Sequence, residues 1–448
     1  MFNYLTCLCR GGGCLVASML AASLLICLAN LVPTAPMIPQ LKESYSQLRV
    51  EGQYHQMIAE ARAWQLDNFT NALMLSMAGH GDNLGVEGAF AGYKFTGEGT
   101  DGVERLGQSI EKKVEAGSVQ WTAYARYWNG WTVVLKPLLL FLNLNQIRTL
   151  FFVVMSALIA VLACASSRLE GVFAGSVVAV GFAAVSYPAA CFSLSLSFCF
   201  FVALAASLVV VRRAAAVRRS GADLLRGGRG WPLFFLMVGC VTAFFDFLCT
   251  PIITLGVPLA LLVFLSRHKV ETMPIPRVFL IGFLCCASWA VGYAGLWVSK
   301  WVISSLILGW DVVSDAVGQL LYRTGDAVAE TSSSVPVEIT AAGAIAKNVK
   351  ILFPNWALKL IGLGAVCLFA ITILRKKFLA GFGWHAPLAL VAVSVLPYFW
   401  YAAVANHSWV HYFFTYRGQL VTLVALGFAA LPVLERVFRK KNGVEVHD

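Results

Sequence analysis

Apolar residues in this chain gather into unbroken runs of about 17–22 positions, the length that carries a helix across a hydrocarbon core about 30 Å thick. The runs do not alternate apolar with polar, so they predict membrane helices and not barrel strands. Ten spans are expected, the first over about 14–31. The others are centred near 149–166, 171–187, 190–211, 231–249, 251–266, 277–298, 355–374, 385–403 and 413–434. Two long polar segments interrupt them, 32–148 and 299–354. The expected fold class is an all-α membrane protein: a single polytopic domain over 1–448, with about ten transmembrane helices and a large extracytoplasmic first loop carrying interfacial helices.

Within the first loop, Leu41–Leu66 reads as an amphipathic helix, and Asp67-Asn68 precedes a second, short apolar helix over Phe69–Ala78. The Gly-rich stretch Gly79–Gly102 is expected to be irregular. Tyr124 to Trp131 forms an aromatic cluster suited to the membrane interface. Val133–Leu144 is apolar but too short to span, and with Lys136-Pro137 it should lie along the interface or re-enter. Asp311–Ala329 again has a helical pattern, before a Ser-rich turn at 331–334. No internal repeat is visible, which counts against inverted-repeat transporter folds.

Composition agrees with the pattern: 59% of residues are hydrophobic, 13% are charged, and the mean hydropathy is +0.73. The net charge of +11 would suit nucleic acid only if it were spread over a surface. It sits instead in short clusters beside apolar runs: Arg168; Arg212 to Arg229; Arg267 and Lys269; Arg375 to Lys377; and Arg436 to Lys441. With ten spans and the N-terminus inside, every cluster falls on the cytoplasmic side. The expectation is a multi-pass protein of the cell membrane with both termini cytoplasmic and no nucleic-acid partner. The first span, behind Arg10, is long for a signal peptide and lacks a clear cleavage site, so it reads as an uncleaved helix. Most of the twelve cysteines lie in apolar spans, and none lies in the first long loop between Pro33 and Trp131. They form no disulfide framework or zinc motif.

One span followed by a large outer loop of interfacial helices with an early carboxylate resembles the plan of GT-C glycosyltransferases. Lys136-Pro137-Leu138-Leu139-Leu140 followed by Gln146-Ile147-Arg148 is similar to that superfamily's step into its second span. Trp128-Asn129-Gly130, Phe245-Asp246-Phe247 with Thr250-Pro251, Ser299-Lys300-Trp301, Tyr322-Arg323-Thr324 and Asn406-His407-Ser408 through Tyr416-Arg417 resemble motifs of bacterial membrane proteins associated with polysaccharide biosynthesis. Many GT-C enzymes place an acidic pair close behind the first span. Here Asp67 stands about 35 residues beyond it, with Asn68 as its neighbour.

The resemblance implies inverting transfer of a sugar from a polyprenyl-phosphate donor to an extracytoplasmic glycan or lipid acceptor. A carboxylate takes the acceptor proton and cations stabilise the departing phosphate. Asp67 and Asp246 are the candidate bases. Arg126, Lys300, Arg323, His407, His411 and Arg417 are the candidate phosphate contacts. No cofactor is implied, and no metal is indicated. Tyr127, Trp128, Trp131, Trp400 and Tyr401 are candidates for stacking on a sugar, although such residues more commonly anchor a helix at the interface.

Plainer roles compete with each assignment. Asp67 is placed to cap the helix that follows it. Asp246 suits a structural ion pair, Lys300 and Arg323 suit snorkelling, and Arg417 just inside the last span needs a partner. His407 and His411 are four apart, as on a metal-binding helix face, but no acidic or Cys ligand adjoins them. Asn68-Phe69-Thr70 and Asn406-His407-Ser408 match the glycosylation pattern at the level of chance. The alternative activities are a lipid-linked glycan flippase or a non-catalytic subunit of envelope polysaccharide assembly. The near absence of charge in mid-span favours chemistry at the outer interface.

Overall fold

The computed structural model describes residues 2–80, 84–99, 101–110, 112, 120–225, 230–324, 338–355 and 382–441. The span predicted at 355–374, the basic residues Arg226, Arg229 and Arg375 to Lys377, and the turn at 331–334 fall outside them, the span all but its first residue.

Helices make up nearly all of the described structure. The first long segment holds α2 (Ile38–Glu51), α3 (Asn68–Ala78), α4 (Gly85–Ala91), α5 (Gly102–Ser109) and α6 (Thr132–Leu139), behind α1 (Phe2–Asn30). A two-residue antiparallel ribbon joins β1 (Lys94–Phe95) to β2 (Trp121–Thr122), with Lys94 opposite Thr122. The bundle continues through α7 (Leu144–Glu170), α8 (Val172–Ala184), α9 (Tyr187–Cys191), α10 (Leu194–Ser220), α11 (Gly230–Phe245), α12 (Ile252–Leu265), α13 (Arg267–Glu271) and α14 (Ile275–Leu308). After α15 (Val312–Thr324) and α16 (Ala341–Leu352) come α17 (His385–Ser394), α18 (Leu396–Ala403), α19 (Ala405–Val410), α20 (Tyr412–Thr415) and α21 (Leu420–Lys441).

Among the described residues, six stretches are long and apolar enough to cross a membrane: Arg10–Asn30, Leu144–Glu170, Leu194–Ser220, Ile275–Leu308, His385–Ala403 and Tyr412–Pro432. Three shorter apolar helices, α8, α11 and α12, fall on the predicted spans 171–187, 231–249 and 251–266. Helix α12 forms the centre, with every residue but Val263 buried. Leu20, Val153, Val180, Phe283 and Phe399 stand exposed around the outside, the arrangement expected where the surrounding solvent is hydrocarbon. Helix α14 has 34 residues, about 50 Å at 1.5 Å per residue. That exceeds the thickness of a membrane core, and buried residues run along it from Val278 to Ser304.

Helices α11 and α14 pack with almost no side chain between them. A Cβ on Gly292 would come within 2.1 Å of the Leu236 carbonyl oxygen, and one on Gly239 within 2.2 Å of that of Trp289. Small residues at such crossings let backbones meet where no hydrophobic effect drives association.

The connections sort to two ends. At one end Glu170 pairs with both Arg218 and Arg267, and Lys269 reaches Asp223 at 3.8 Å. There Glu271 also accepts from the His385 and Ala386 backbone N–H groups at 3.1 and 2.8 Å. At the other end gather the long first segment, the corners at 186–193 and 246–251, and the segment 404–415. Loops predicted to share a side therefore touch one another.

Three local expectations change. The first amphipathic helix stops at Glu51 and not near Leu66, because Gly52 takes φ +75° as its cap. Residues 53–68 then fold back: the Leu66 N–H donates to His55 O at 2.7 Å and that of Asn68 to Gln53 O at 2.9 Å. The Gly79–Gly102 stretch is partly ordered, holding α4 and β1. The aromatic cluster is interior and not an interfacial belt. Tyr127, Trp128 and Trp131 are buried, and the Trp128 indole donates to Leu296 O at 2.6 Å.

Candidate functional site

Asp67 caps α3. Its Oδ1 accepts from the Thr70 backbone N–H at 3.1 Å, and its own N–H donates to Ser193 Oγ at 3.0 Å. A polar network behind it fixes this position. Arg148 donates to both carboxylate oxygens of Glu51 at 3.0 Å, to Asn68 Oδ1 at 2.6 Å and to Phe192 O at 2.9 Å. Asn68 Nδ2 bonds Glu51 and the Gly52 carbonyl, and Asn71 accepts from the Leu194 N–H. Burial pushes Glu51 up, but Arg148 and the hydrogen bonds outweigh it and hold the group below the usual carboxylate range. Asn68 is completely buried in this network and inaccessible to glycosylation. Asp67 is buried with no cation paired to it among the described residues, and burial raises its carboxyl above the usual range against the Thr70 hydrogen bonds.

Asp246 sits in the corner between α11 and α12, where Leu248 takes φ +67°. Its Oδ2 accepts from the Tyr293 hydroxyl at 2.7 Å. Its Oδ1 accepts from the Cys249 N–H at 2.9 Å and the Cys199 thiol at 3.3 Å. His407 Nε2 bonds the Leu248 carbonyl at 2.8 Å. A carbonyl only accepts, so Nε2 carries the proton. Burial and the neighbouring His411 hold His407 neutral, well below its ordinary pKa. Its Nδ1 is then an acceptor, and His407 props the strained corner with no N–H left for a phosphate.

Arg323, near the end of α15, joins these groups. Its guanidinium lies 5.8 Å from the Tyr127 ring centre and within reach of that hydroxyl. Among the described residues no carboxylate forms an ion pair with it. Its charge lowers the pKa of His407 and His411, after the larger effect of burial. Burial, and then Arg323, press His411 down to about 4. Aromatic rings wall the same region: Tyr127 lies 5.5 Å from Trp297, and Tyr293 lies 5.3 Å from Trp297 and 6.1 Å from Trp400. The indole N–H groups of Trp297 and Trp400 are buried without acceptors among the described residues, as are Thr250 Oγ1 and Asn406 Nδ2.

The remaining predicted cations lie elsewhere. Arg126 pairs with Asp315 at 3.2 Å and stacks over Tyr124 at 4.6 Å. Lys300 is fully buried toward α1, donating to Phe90 O at 2.8 Å with the Phe90 ring centre 4.5 Å away. Arg417 is also fully buried. It donates to Ala63 O at 2.9 Å and Phe413 O at 3.2 Å, clamping the 53–67 segment onto the start of the last helix. Tyr401 is buried and donates to Thr415 O at 3.0 Å.

Sequence reasoning missed Tyr293, Cys199 and Cys249 around Asp246, and the Glu51–Arg148 pair behind Asp67. Arg148 at the start of a span carried a signal, since a buried guanidinium needs an acid. Nothing in the sequence pointed to Glu51 as that acid. Among the described residues, no three His, Cys, Asp or Glu side chains are grouped to hold a metal ion. Comparison with protein-family models, curated proteins and solved structures finds no match.

Proposed function

We propose that the chain is a GT-C-type membrane glycosyltransferase. It moves a sugar from a polyprenyl-phosphate donor to a glycan or lipid acceptor on the extracytoplasmic side, with inversion and with both termini cytoplasmic. The observation that carries this reading is a convergence. Asp246 accepts from the Tyr293 hydroxyl at 2.7 Å, Tyr293 and Tyr127 both pack on Trp297 at 5.3 and 5.5 Å, and Arg323, with no acid partner among the described residues, lies 5.8 Å from the Tyr127 ring centre. A cation and several unpaired N–H donors beside a buried carboxylate suit a ligand rich in acceptor oxygens.

Asp67 is the better base. Asp246 accepts from a phenol, a thiol and a backbone N–H, which occupies most of the lone pairs a proton would need. Asp67 accepts from Thr70 alone among the described residues, which leaves lone pairs free to take a proton. In the reaction Asp67 takes the proton of the acceptor hydroxyl as that oxygen forms its bond to the anomeric carbon. The bond from that carbon to the phosphate oxygen breaks, and the phosphate leaves with the electron pair toward Arg323. His411, neutral, has one N–H to offer that phosphate.

The test uses purified protein in lipid vesicles with a panel of polyprenyl-phosphate sugars and mixed glycan acceptors, following release of polyprenyl phosphate. Turnover that falls on the order of 100-fold in Arg323→Gln supports the reading. Movement of labelled lipid between leaflets with no release would replace it with a flippase.

A further inference from the structure

A cavity lies in the first long segment, between α3, β1, α5 and the residues leading to Tyr127. Its volume is about 150 Å³, and Lys94, Arg105, Arg126, Tyr124, Phe69 and Ser76 are among the residues lining it. Three cations face this space and no carboxylate lines it. The acids nearby are turned to other work. Asp315 holds Arg126 from outside, Asp101 caps α5 by accepting from Val103 and Glu104 N–H groups, and Glu104 accepts from the Tyr45 hydroxyl. The Lys94 ammonium lies 5.0 Å from the Tyr124 ring centre, and the Arg126 guanidinium lies 4.6 Å from it. Burial, then the charges of Arg126 and Arg105, hold Lys94 below its usual range, with Asp315 opposing them. Two buried polar atoms, Ser76 Oγ and Arg126 Nε, have no partner among the described residues.

We infer that this cavity binds one acidic sugar residue, its carboxylate or phosphate ester held by Lys94, Arg105 and Arg126 and its ring against Tyr124. The cavity is too large for a bare oxyanion and about the size of one hexose. Its aromatic wall is the kind of surface a sugar face stacks on. Tyr124 also stacks on Tyr127 at 5.1 Å, so the wall of this cavity backs onto the site around Arg323. In that position the bound residue belongs to the acceptor. This last step rests on the proposed transfer reaction, whereas the binding itself does not.

The experiment measures binding of glucuronate, glucose 1-phosphate, glucose and inorganic phosphate to the full chain in lipid nanodiscs by titration calorimetry. Both acidic sugars should bind at least tenfold more tightly than glucose, and more weakly as salt rises. Lys94→Gln and Arg105→Gln should each weaken them at least tenfold while the melting temperature holds. Arg323→Gln should leave this binding intact while it abolishes transfer, which separates the two claims. Equal binding of glucose and glucuronate, no binding, or no effect of either variant would overturn the inference. Inorganic phosphate binding as tightly as the sugar phosphate would make the cavity a plain phosphate site and also overturn it.

Discussion

The Tyr293 hydroxyl donates to Asp246 Oδ2 at 2.7 Å from the middle of α14, and this bond anchors the turn that follows α11. With Cys249 and Cys199 it leaves Asp246 a satisfied buried carboxylate. Tyr293→Phe removes one donor and leaves Oδ2 unpaired. The expected cost is roughly 1–3 kcal/mol of stability, read as a lowered melting temperature in detergent.

The Glu51–Arg148 pair is the support of Asp67. Arg148→Leu leaves Glu51 without its cation and leaves the Phe192 carbonyl and Asn68 Oδ1 with only Asn71 Nδ2, at 3.1 Å from each, as donor. Removing one partner of such a pair costs about 3 kcal/mol. The exposed Arg49–Glu104 pair, at 3.9 Å, is the control. Arg49→Ala should leave the melting temperature unchanged.

His411 makes acid stability a readout of the site. Its pKa is about 4 when folded, against roughly 6.5 when unfolded. The unfolded chain therefore binds more protons between those values. The stabilisation is complete above pH 6.5 and is lost as pH falls toward 4, up to roughly 3 kcal/mol. His407, also depressed, acts in the same direction. His411→Gln should flatten the melting temperature between pH 6.5 and 4.5 relative to the parent chain.

Helix α14 supplies its own control for the close crossing with α11. Gly292→Ala places a methyl group against the Leu236 carbonyl and must part the two backbones, an overpacking cost of about 1–3 kcal/mol. A Cβ at Gly282 meets nothing within 4 Å. Gly282→Ala should be neutral or slightly stabilising, since alanine is the better helix former. Comparing folded yields of the two variants after membrane extraction checks the pair.

The membrane architecture was legible because hydrophobic runs and basic clusters are local signals. Six of the ten predicted spans coincide with helices long and apolar enough to cross a membrane, three with shorter apolar helices, and the one at 355–374 falls outside the described residues but for its first. The contacts of Glu170 with Arg218 and Arg267 put those connections at one end of the bundle, as the span count requires. Asp67 and Asp246 stood out as carboxylates near apolar segments, and Asp67 is both a helix cap and a candidate base. The destinations of the cations were not legible. Lys300 and Arg417 find backbone carbonyls of Phe90, Ala63 and Phe413, and a carbonyl partner leaves no mark in sequence. The end of the first amphipathic helix was missed because the charged pattern runs on past Gly52, whose backbone stops the helix.

The central claim is that Asp67, and not Asp246, is the base of a transfer reaction. The direct measurement is polyprenyl phosphate release by the parent chain, Asp67→Asn and Asp246→Asn in lipid vesicles, with folding checked by melting temperature. The account predicts that Asp67→Asn stays folded and loses at least 100-fold in turnover, within the range general-base catalysis supplies. Asp246→Asn should lower the melting temperature and keep most of its turnover per folded molecule. Full turnover in Asp67→Asn would contradict it.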